Sequence, residues 1–166
     1  ITFPGAKDKY NTYDIQNIAE AFVQYLPKEF HNVSYVAQAS ASLGLKANKI
    51  SLHLFFLLGH TVQPKILKEW FRTLNYETDF LADQLKLSAN GQSISYPLDV
   101  SLADNSKLIY IAPPKFSGVQ DPVAGDRFVR IDRSSPILDI NSLIKDVNPE
   151  KVHSLSTPIK DGLRQQ

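Results

Sequence analysis

The chain of 166 residues contains no cysteine and no methionine. Without cysteine, a protein can form no disulfide, no thiol nucleophile and no thiolate metal site. A primary translation product starts with methionine, so a chain that begins at Ile1 is expected to be processed or excised. A signal peptide or a membrane anchor could therefore precede Ile1.

The net charge of this chain is small, and its apolar runs are short. Eighteen basic and seventeen acidic side chains leave a formal net charge of +1, which provides no strong field for attracting nucleic acid. The longest apolar run covers residues 54–59, whereas a helix needs about 20 apolar residues to cross a bilayer. We expect no nucleic-acid partner and no membrane span within these residues.

The strongest positive signal is a unit of one helix and two strands that occurs twice. Two apolar stripes follow the spacing i, i+3, i+4 and i+7, which is typical of one face of an α-helix. Each stripe is followed by two strand-like runs. The first stripe comprises Ile15, Ile18, Ala19, Phe22, Val23 and Leu26, and the second comprises Ile66, Leu67, Trp70, Phe71 and Leu74.

Local signals place the boundaries of these elements. Thr12 or Asp14 is expected to cap the first helix, and Pro27 to end it. Residues 33–42 and 49–58 favour strands, although a buried helix is the alternative for 49–58. Asn90-Gly91 lies between two alternating runs and predicts a hairpin. Residues 107–112 and 127–133 favour further strands, and residues 137–147 a weak helix.

Together these elements predict an α+β fold with a ferredoxin-like αββαββ core, in which two helices cover one face of an antiparallel sheet. The core is expected to span residues 1–112. Residues 113–166 are predicted to form a C-terminal extension with a Pro- and Gly-containing loop. Because Pro149 and Pro158 interrupt a polar sequence, we expect the end of this extension to be disordered or bound to a partner.

Two histidines and one cluster of charges are the candidates for chemistry. His53 and His60 would lie on opposite faces of a strand, or two turns apart on a helix, so we interpret them as structural. Asp121, Asp126 and Asp132 stand near three arginines and could support acid–base chemistry or bind phosphate. The alternative that we favour is an edge strand whose charges discourage unwanted pairing. The three arginines are Arg127, Arg130 and Arg133.

A basic stripe lies on the second predicted helix, at Lys65, Lys68 and Arg72. We interpret it as a solvated face, with docking on an acidic partner as the alternative, and we place Trp70 in the core. No motif for phosphate binding, zinc binding or a nucleophilic serine occurs. The sequence therefore predicts no catalytic, cofactor-binding or metal-binding residue and no cofactor.

The order helix, strand, strand, helix, strand, strand over residues 15–102 resembles a known family. It is similar to the periplasmic ferredoxin-like domains of inner-membrane platform proteins in type IV pilus and type II secretion machines, of the PilN/PilO and GspL/GspM type. The resemblance is based on Leu26-Pro27, Ile50-Ser51-Leu52 and the helix Leu67-x-x-Trp70-Phe71-x-x-Leu74, followed by the hairpin from Asn90-Gly91 into Ile94-Ser95-Tyr96. Domains of this family are scaffolds, so no catalytic residue carries over.

The resemblance implies a non-catalytic scaffold that acts by homo- or hetero-dimerisation in an envelope-spanning secretion or pilus assembly machine. The expected partner is a sister subunit or another protein. The expected location is extracytoplasmic, as the periplasmic domain of an inner-membrane protein. Two alternatives stay open: a hydrolase or transferase whose site forms only in three dimensions, and a processed structural protein of a virus or phage particle.

Overall fold

The computed structural model describes residues 1–2, 14–46, 49–123 and 125–165. Within them the chain is a mixed α+β protein with five α-helices and five strands. The helices are α1 (Ile15–Val23), α2 (Pro64–Glu77), α3 (Asp79–Ala82), α4 (Asn141–Ile144) and α5 (Pro149–Arg164). The strands are β1 (Tyr35–Ala39), β2 (Leu52–Phe56), β3 (Lys86–Leu87), β4 (Ile94–Ser95) and β5 (Phe128–Ile131), and 3-10 turns cover Lys28–Phe30 and Val100–Ala103.

The chain forms two compact units. The sheet unit comprises Ile1–Gly59 and Ile109–Asp139, and the helical unit comprises His60–Leu108 and Ile140–Gln166. This grouping differs from the predicted division between residues 112 and 113. The reason is that β5 returns to pair with β1, so each unit is built from two separate segments of the chain.

The first helix of the sheet unit follows the apolar stripe that predicted it. Five stripe residues of α1 are buried: Ile15, Ile18, Ala19, Phe22 and Val23. The Asp14 side chain accepts a hydrogen bond of 3.0 Å from the backbone N–H of Asn17, which satisfies one of the free donors at the helix start. Asp14 is thus the cap, and Thr12 lies outside the described residues.

The sheet of this unit is antiparallel, with the strand order β2-β1-β5. Tyr35 of β1 lies opposite Phe56 of β2 and opposite Ile131 of β5. The helical alternative for residues 49–58 is therefore wrong, because β2 runs through the middle of that range. The predicted strand within 127–133 is confirmed as β5.

The predicted hairpin lies in the helical unit and forms a separate sheet. Lys86 and Leu87 of β3 pair with Ser95 and Ile94 of β4. Gly91 has a φ of +68°, a value that glycine adopts without strain. The hairpin prediction is confirmed, but the described strands form a three-stranded and a two-stranded sheet, where the sequence predicts one shared sheet.

Two segments late in the chain differ from their predictions. Residues 107–112 form no strand, and the backbone oxygen of Tyr110 accepts a hydrogen bond from the Gln38 side chain instead. The C-terminal segment forms the helix α5, which differs from the predicted disorder, while the alternative of a partner-bound tail stays a prediction. Asn148 caps this helix and Pro149 stands in its first turn, where the missing N–H of proline costs nothing. Pro158 lies inside the helix.

None of the helices in the described ranges is long and apolar enough to cross a membrane.

A buried amide ties α2 to the segment after β4. Asn75 is fully buried, and its Nδ2 donates to the backbone oxygens of Phe71 at 2.8 Å and Leu98 at 2.9 Å. Its Oδ1 accepts from the Leu98 N–H at 3.0 Å. Both polar groups of the Leu98 backbone are therefore satisfied by this one side chain.

We predict that Asn75→Ala lowers the free energy of unfolding of the helical unit by about 2–3 kcal/mol. The substitution leaves buried backbone groups unpaired, which costs about 1–3 kcal/mol, and opens a small cavity. Urea unfolding followed by circular dichroism measures the change. Asn17→Ala, on the exposed side of α1, is the control and should change stability by less than about 0.5 kcal/mol. Equal effects of the two substitutions would contradict the role of Asn75.

Candidate interaction surface

The two faces of the sheet unit differ in burial most clearly in β5, where Phe128 and Arg130 are exposed and Val129 and Ile131 are not. One face carries Tyr35, Ala37, Ala39 and Ile131, all of which are buried, and α1 packs on β1 and β5. Side chains alternate between faces along a strand, so the residues between them form the opposite face. We call this opposite face the open face. It consists of Val36, Gln38, His53, Phe55, Phe128 and Arg130.

A buried glutamine occupies the centre of the open face. The Nε2 of Gln38 donates a hydrogen bond of 3.0 Å to the backbone oxygen of Tyr110. Its Oε1 lies 3.4 Å from Nδ1 of His53. Gln38 thus ties residues 109–111 to the open face and orients the neighbouring imidazole.

Apolar groups remain exposed around this polar centre. Phe128 is 42% exposed in β5, and Tyr110 and Ile111 are 80% and 64% exposed. The Phe55 ring lies 6.2 Å from the His53 ring and is only half-buried. Clustered exposed apolar residues on a soluble domain typically mark a site of protein interaction. Tyr110 and Ile111 belong to the segment 107–112, which the sequence predicts as a strand, and they contribute to this exposed apolar surface instead.

The arginines of the charged cluster do not converge on one site, because each pairs with a different carboxylate. Arg127 is buried and pairs with Asp121, and its Nη1 donates to the Ser40 oxygen at 2.9 Å. The Phe116 ring lies 5.4 Å from the same guanidinium. Arg133 pairs with Glu20 and Arg130 with Asp132, each at 2.8 Å. The prediction of an edge strand in this region is confirmed, because β5 is an end strand of its sheet.

The Arg127–Asp121 pair changes the ionisation of the carboxyl group. Desolvation raises the pKa of Asp121, but hydrogen bonds from Arg127 and from the Val123 N–H outweigh this effect. The pKa of Asp121 therefore lies below its ordinary value of 3.8. The same pair anchors the segment around residue 121 to the end of β1 through Ser40.

The helical unit holds a polar cavity of about 290 Å³. It is lined by Glu69, Arg72, Tyr96, Pro149, Val152, His153 and Ser156. Arg72 donates to Glu69 at 2.6 Å, and the hydroxyls of Tyr76 and Tyr96 are 2.7 Å apart. Ser156 donates its hydroxyl proton to the backbone oxygen of His153, so this serine is not hydrogen-bonded to an imidazole base.

The hydrogen bonds of Arg72, which lines the cavity, and of Tyr76 beside Tyr96 shift the pKa values of both groups. Burial raises the pKa of Tyr76, and the hydrogen bond with Tyr96 raises it further. Burial lowers the pKa of Arg72, but the hydrogen bond and charge of Glu69 outweigh it and raise that pKa above its usual value. Both groups keep their neutral-pH charge states, Tyr76 uncharged and Arg72 positive.

The remaining candidate residues are dispersed. His53 lies on the open face of the sheet unit, whereas His60 belongs to the helical unit. Lys68 pairs with Asp104 at 2.8 Å, so the predicted basic stripe is partly neutralised, and Trp70 is buried in the core as expected. Across the described ranges, no group of three or more His, Asp or Glu side chains is placed to hold a metal ion.

Comparisons of this chain with models of protein families, with characterised proteins and with solved structures found no match. The resemblance to pilus and secretion platform domains therefore stays a prediction from the sequence. Function has to be inferred from the surfaces described above.

We predict that Asp121→Asn lowers the midpoint of urea unfolding at neutral pH. The pKa of Asp121 is lower in the folded than in the unfolded protein. The ionised carboxylate therefore stabilises the fold at pH values above 3.8, the pKa of this group in the unfolded chain. This contribution is lost as the pH falls through the folded pKa. The difference between the variant and the native chain should therefore shrink as the pH is lowered from about 4.

The matched control is Asp126→Asn, because Asp126 is exposed and forms no ion pair within the part of the chain that the structure describes. This control should unfold like the native chain at neutral pH. A pH-independent difference for Asp121→Asn would contradict an electrostatic role of the carboxylate.

Proposed function

We propose that this chain is a non-catalytic interaction domain that binds another protein chain through the open face and the adjoining edge of β5. The observation that carries this proposal is the exposure of Phe128, Tyr110 and Ile111 at 42%, 80% and 64%. Aromatic and arginine side chains contribute most of the binding energy at many protein interfaces. Phe128 and Arg130 supply both kinds of residue from one strand.

The buried centre of the open face supports the same proposal. An interface needs a fixed shape before it binds, because ordering mobile segments costs free energy. Gln38 holds the backbone of residue 110 at 3.0 Å, and the Arg127–Asp121 pair fixes the chain just before β5. The apolar groups are therefore presented by ordered neighbours.

The more specific form of the proposal is a periplasmic scaffold of a pilus or secretion assembly machine. Only the sequence resemblance supports this form. Its ferredoxin-like αββαββ core would need β3 and β4 in the sheet of β1 and β2, and in the described residues they form a separate pair. The binding proposal does not depend on that finer fold.

An enzyme is the alternative, and the polar cavity of the helical unit is the observation in its favour. Glu69, His153 and Ser156 all line this cavity. However, Glu69 accepts from Arg72, and Ser156 donates to a backbone oxygen. Neither is hydrogen-bonded as an activated nucleophile or a free general base would be, so we favour the interaction domain.

We predict that Phe128→Ser weakens association of this chain with its partner by about tenfold or more, since truncating an anchoring aromatic typically costs at least about 1.4 kcal/mol. Photo-crosslinking first identifies the partner, with the photoreactive residue at position 128 of the full chain in an extract of the source cells. Titration with the partner then measures the effect of Phe128→Ser.

Leu45 provides the matched control, because it is 51% exposed in the connection between β1 and β2. Leu45→Ser should leave the affinity unchanged, and a photoreactive residue at position 45 should capture less of the partner. Equal crosslinking from positions 45 and 128 would contradict the proposal.

A further inference from the structure

We propose that the edge of β5 binds a second copy of this chain, strand against strand, with Arg130 of each copy opposite Asp132 of the other. This inference rests on the proposed function and goes beyond it, because it names the partner and the register. The two copies would be antiparallel and related by a two-fold axis that passes through Ile131.

The backbone of β5 fixes which groups are available at this edge. The N–H of Ala39, at the end of β1, donates to the backbone oxygen of Arg127 at 2.8 Å. Antiparallel pairing alternates the direction of the backbone groups. Residues 127, 129 and 131 therefore point their N–H and C=O groups toward β1, and residues 128 and 130 point theirs outward. The alternation continues one step past β5, since the Arg133 N–H donates to the Ser34 Oγ, so residue 132 also faces outward.

This edge belongs to the end strand of the sheet. The strand order is β2-β1-β5, so the described sheet places no strand beyond β5. An edge of this kind exposes donors and acceptors that another strand can pair with. Residues 130 and 132 can exchange both of their hydrogen bonds with residues 132 and 130 of a second copy.

The side chains at these two positions carry opposite charges on one face. The Nε of Arg130 lies 2.8 Å from the Asp132 Oδ1, and the side chains are 76% and 68% exposed. Rotation about a two-fold axis at Ile131 brings Arg130 opposite Asp132 twice. Each arginine and each carboxylate then keeps a partner, because the pairs within a chain are replaced by pairs between chains.

The charges also exclude the neighbouring registers. If the strands slide so that position 130 meets itself, two arginines lie opposite each other. If position 132 meets itself, two carboxylates do so. Like charges directly opposite on an antiparallel pair are destabilising. The register centred on Ile131 is therefore favoured over both neighbours.

The resulting assembly is closed and continuous. Each copy contributes three strands, so the paired sheet has six strands and the two open faces, including both Phe128 rings, lie on the same side. A two-fold interface uses the same patch on both copies and leaves no β5 edge for a third copy. Dimers, and not fibres, are the expected product.

Charge reversal in the full chain tests this inference by sedimentation velocity. The native chain should form dimers. Arg130→Asp alone and Asp132→Arg alone should each raise the dimer dissociation constant by about tenfold or more, because each places like charges opposite. The double variant R130D/D132R should return to within about threefold of the native value.

A mixture of the two single variants gives the sharpest readout. One chain is then acidic at both positions and the other is basic at both, so the two should form a heterodimer although neither pairs well with itself. R164D is the control, since Arg164 forms an exposed pair with Asp161 in the helical unit, and it should leave dimerisation unchanged. Circular dichroism confirms that each variant is folded.

A monomeric native chain would overturn the inference, as would single variants that dimerise normally or a mixture that fails to pair. If the native chain is monomeric but position 128 crosslinks to a different protein, the inference fails and the proposed function stands. If it is monomeric and position 128 captures no protein, both fail.

Discussion

The central position of β1 is the constraint on which the sheet unit depends. Both sides of this strand are occupied, by β2 along the chain and by β5 from about ninety residues further on, since Gln38 lies opposite both His53 and Phe128. Ala37 and Ala39 are buried on the side of α1, and their small side chains let the helix approach closely. The backbone oxygen of Tyr110 accepts a hydrogen bond from Gln38 at the centre of the open face, so the segment 109–111 meets this face without pairing in the sheet.

The elements that depend on local pattern were predictable from the sequence. The stripe from Ile15 to Val23 gave α1, and the Asn90-Gly91 pair gave the β3–β4 hairpin, because a helix period and a turn residue act over short distances. The pairing of β1 with β5 was not predictable in this way. The sequence around Arg127 and Phe128 predicts a strand but carries no signal for which strand it meets.

At the candidate surface too, local features were predictable from the sequence and contacts between distant residues were not. The charges around β5 indicate an edge strand from sequence alone. Their partners do not follow from it, since Glu20 pairs with Arg133 across the chain. Gln38 belongs to no motif, although a glutamine between Ala37 and Ala39 in a strand is a usable signal for a polar contact on the opposite face. The helix α5 does not follow from the pattern, because prolines count against a helix in general, whereas Pro149 lies in its first turn.

Charges on an edge strand are usually interpreted as protection against pairing, and β5 shows why their order matters. A strand with charges of one sign repels a second copy in every register. Arg130 and Asp132 have opposite signs two residues apart on one face, so they repel in the two neighbouring registers and attract in the one between them. The same two side chains can therefore block nonspecific pairing and select one specific partner. The exposed Phe128 beside them gives that partner an apolar surface to cover.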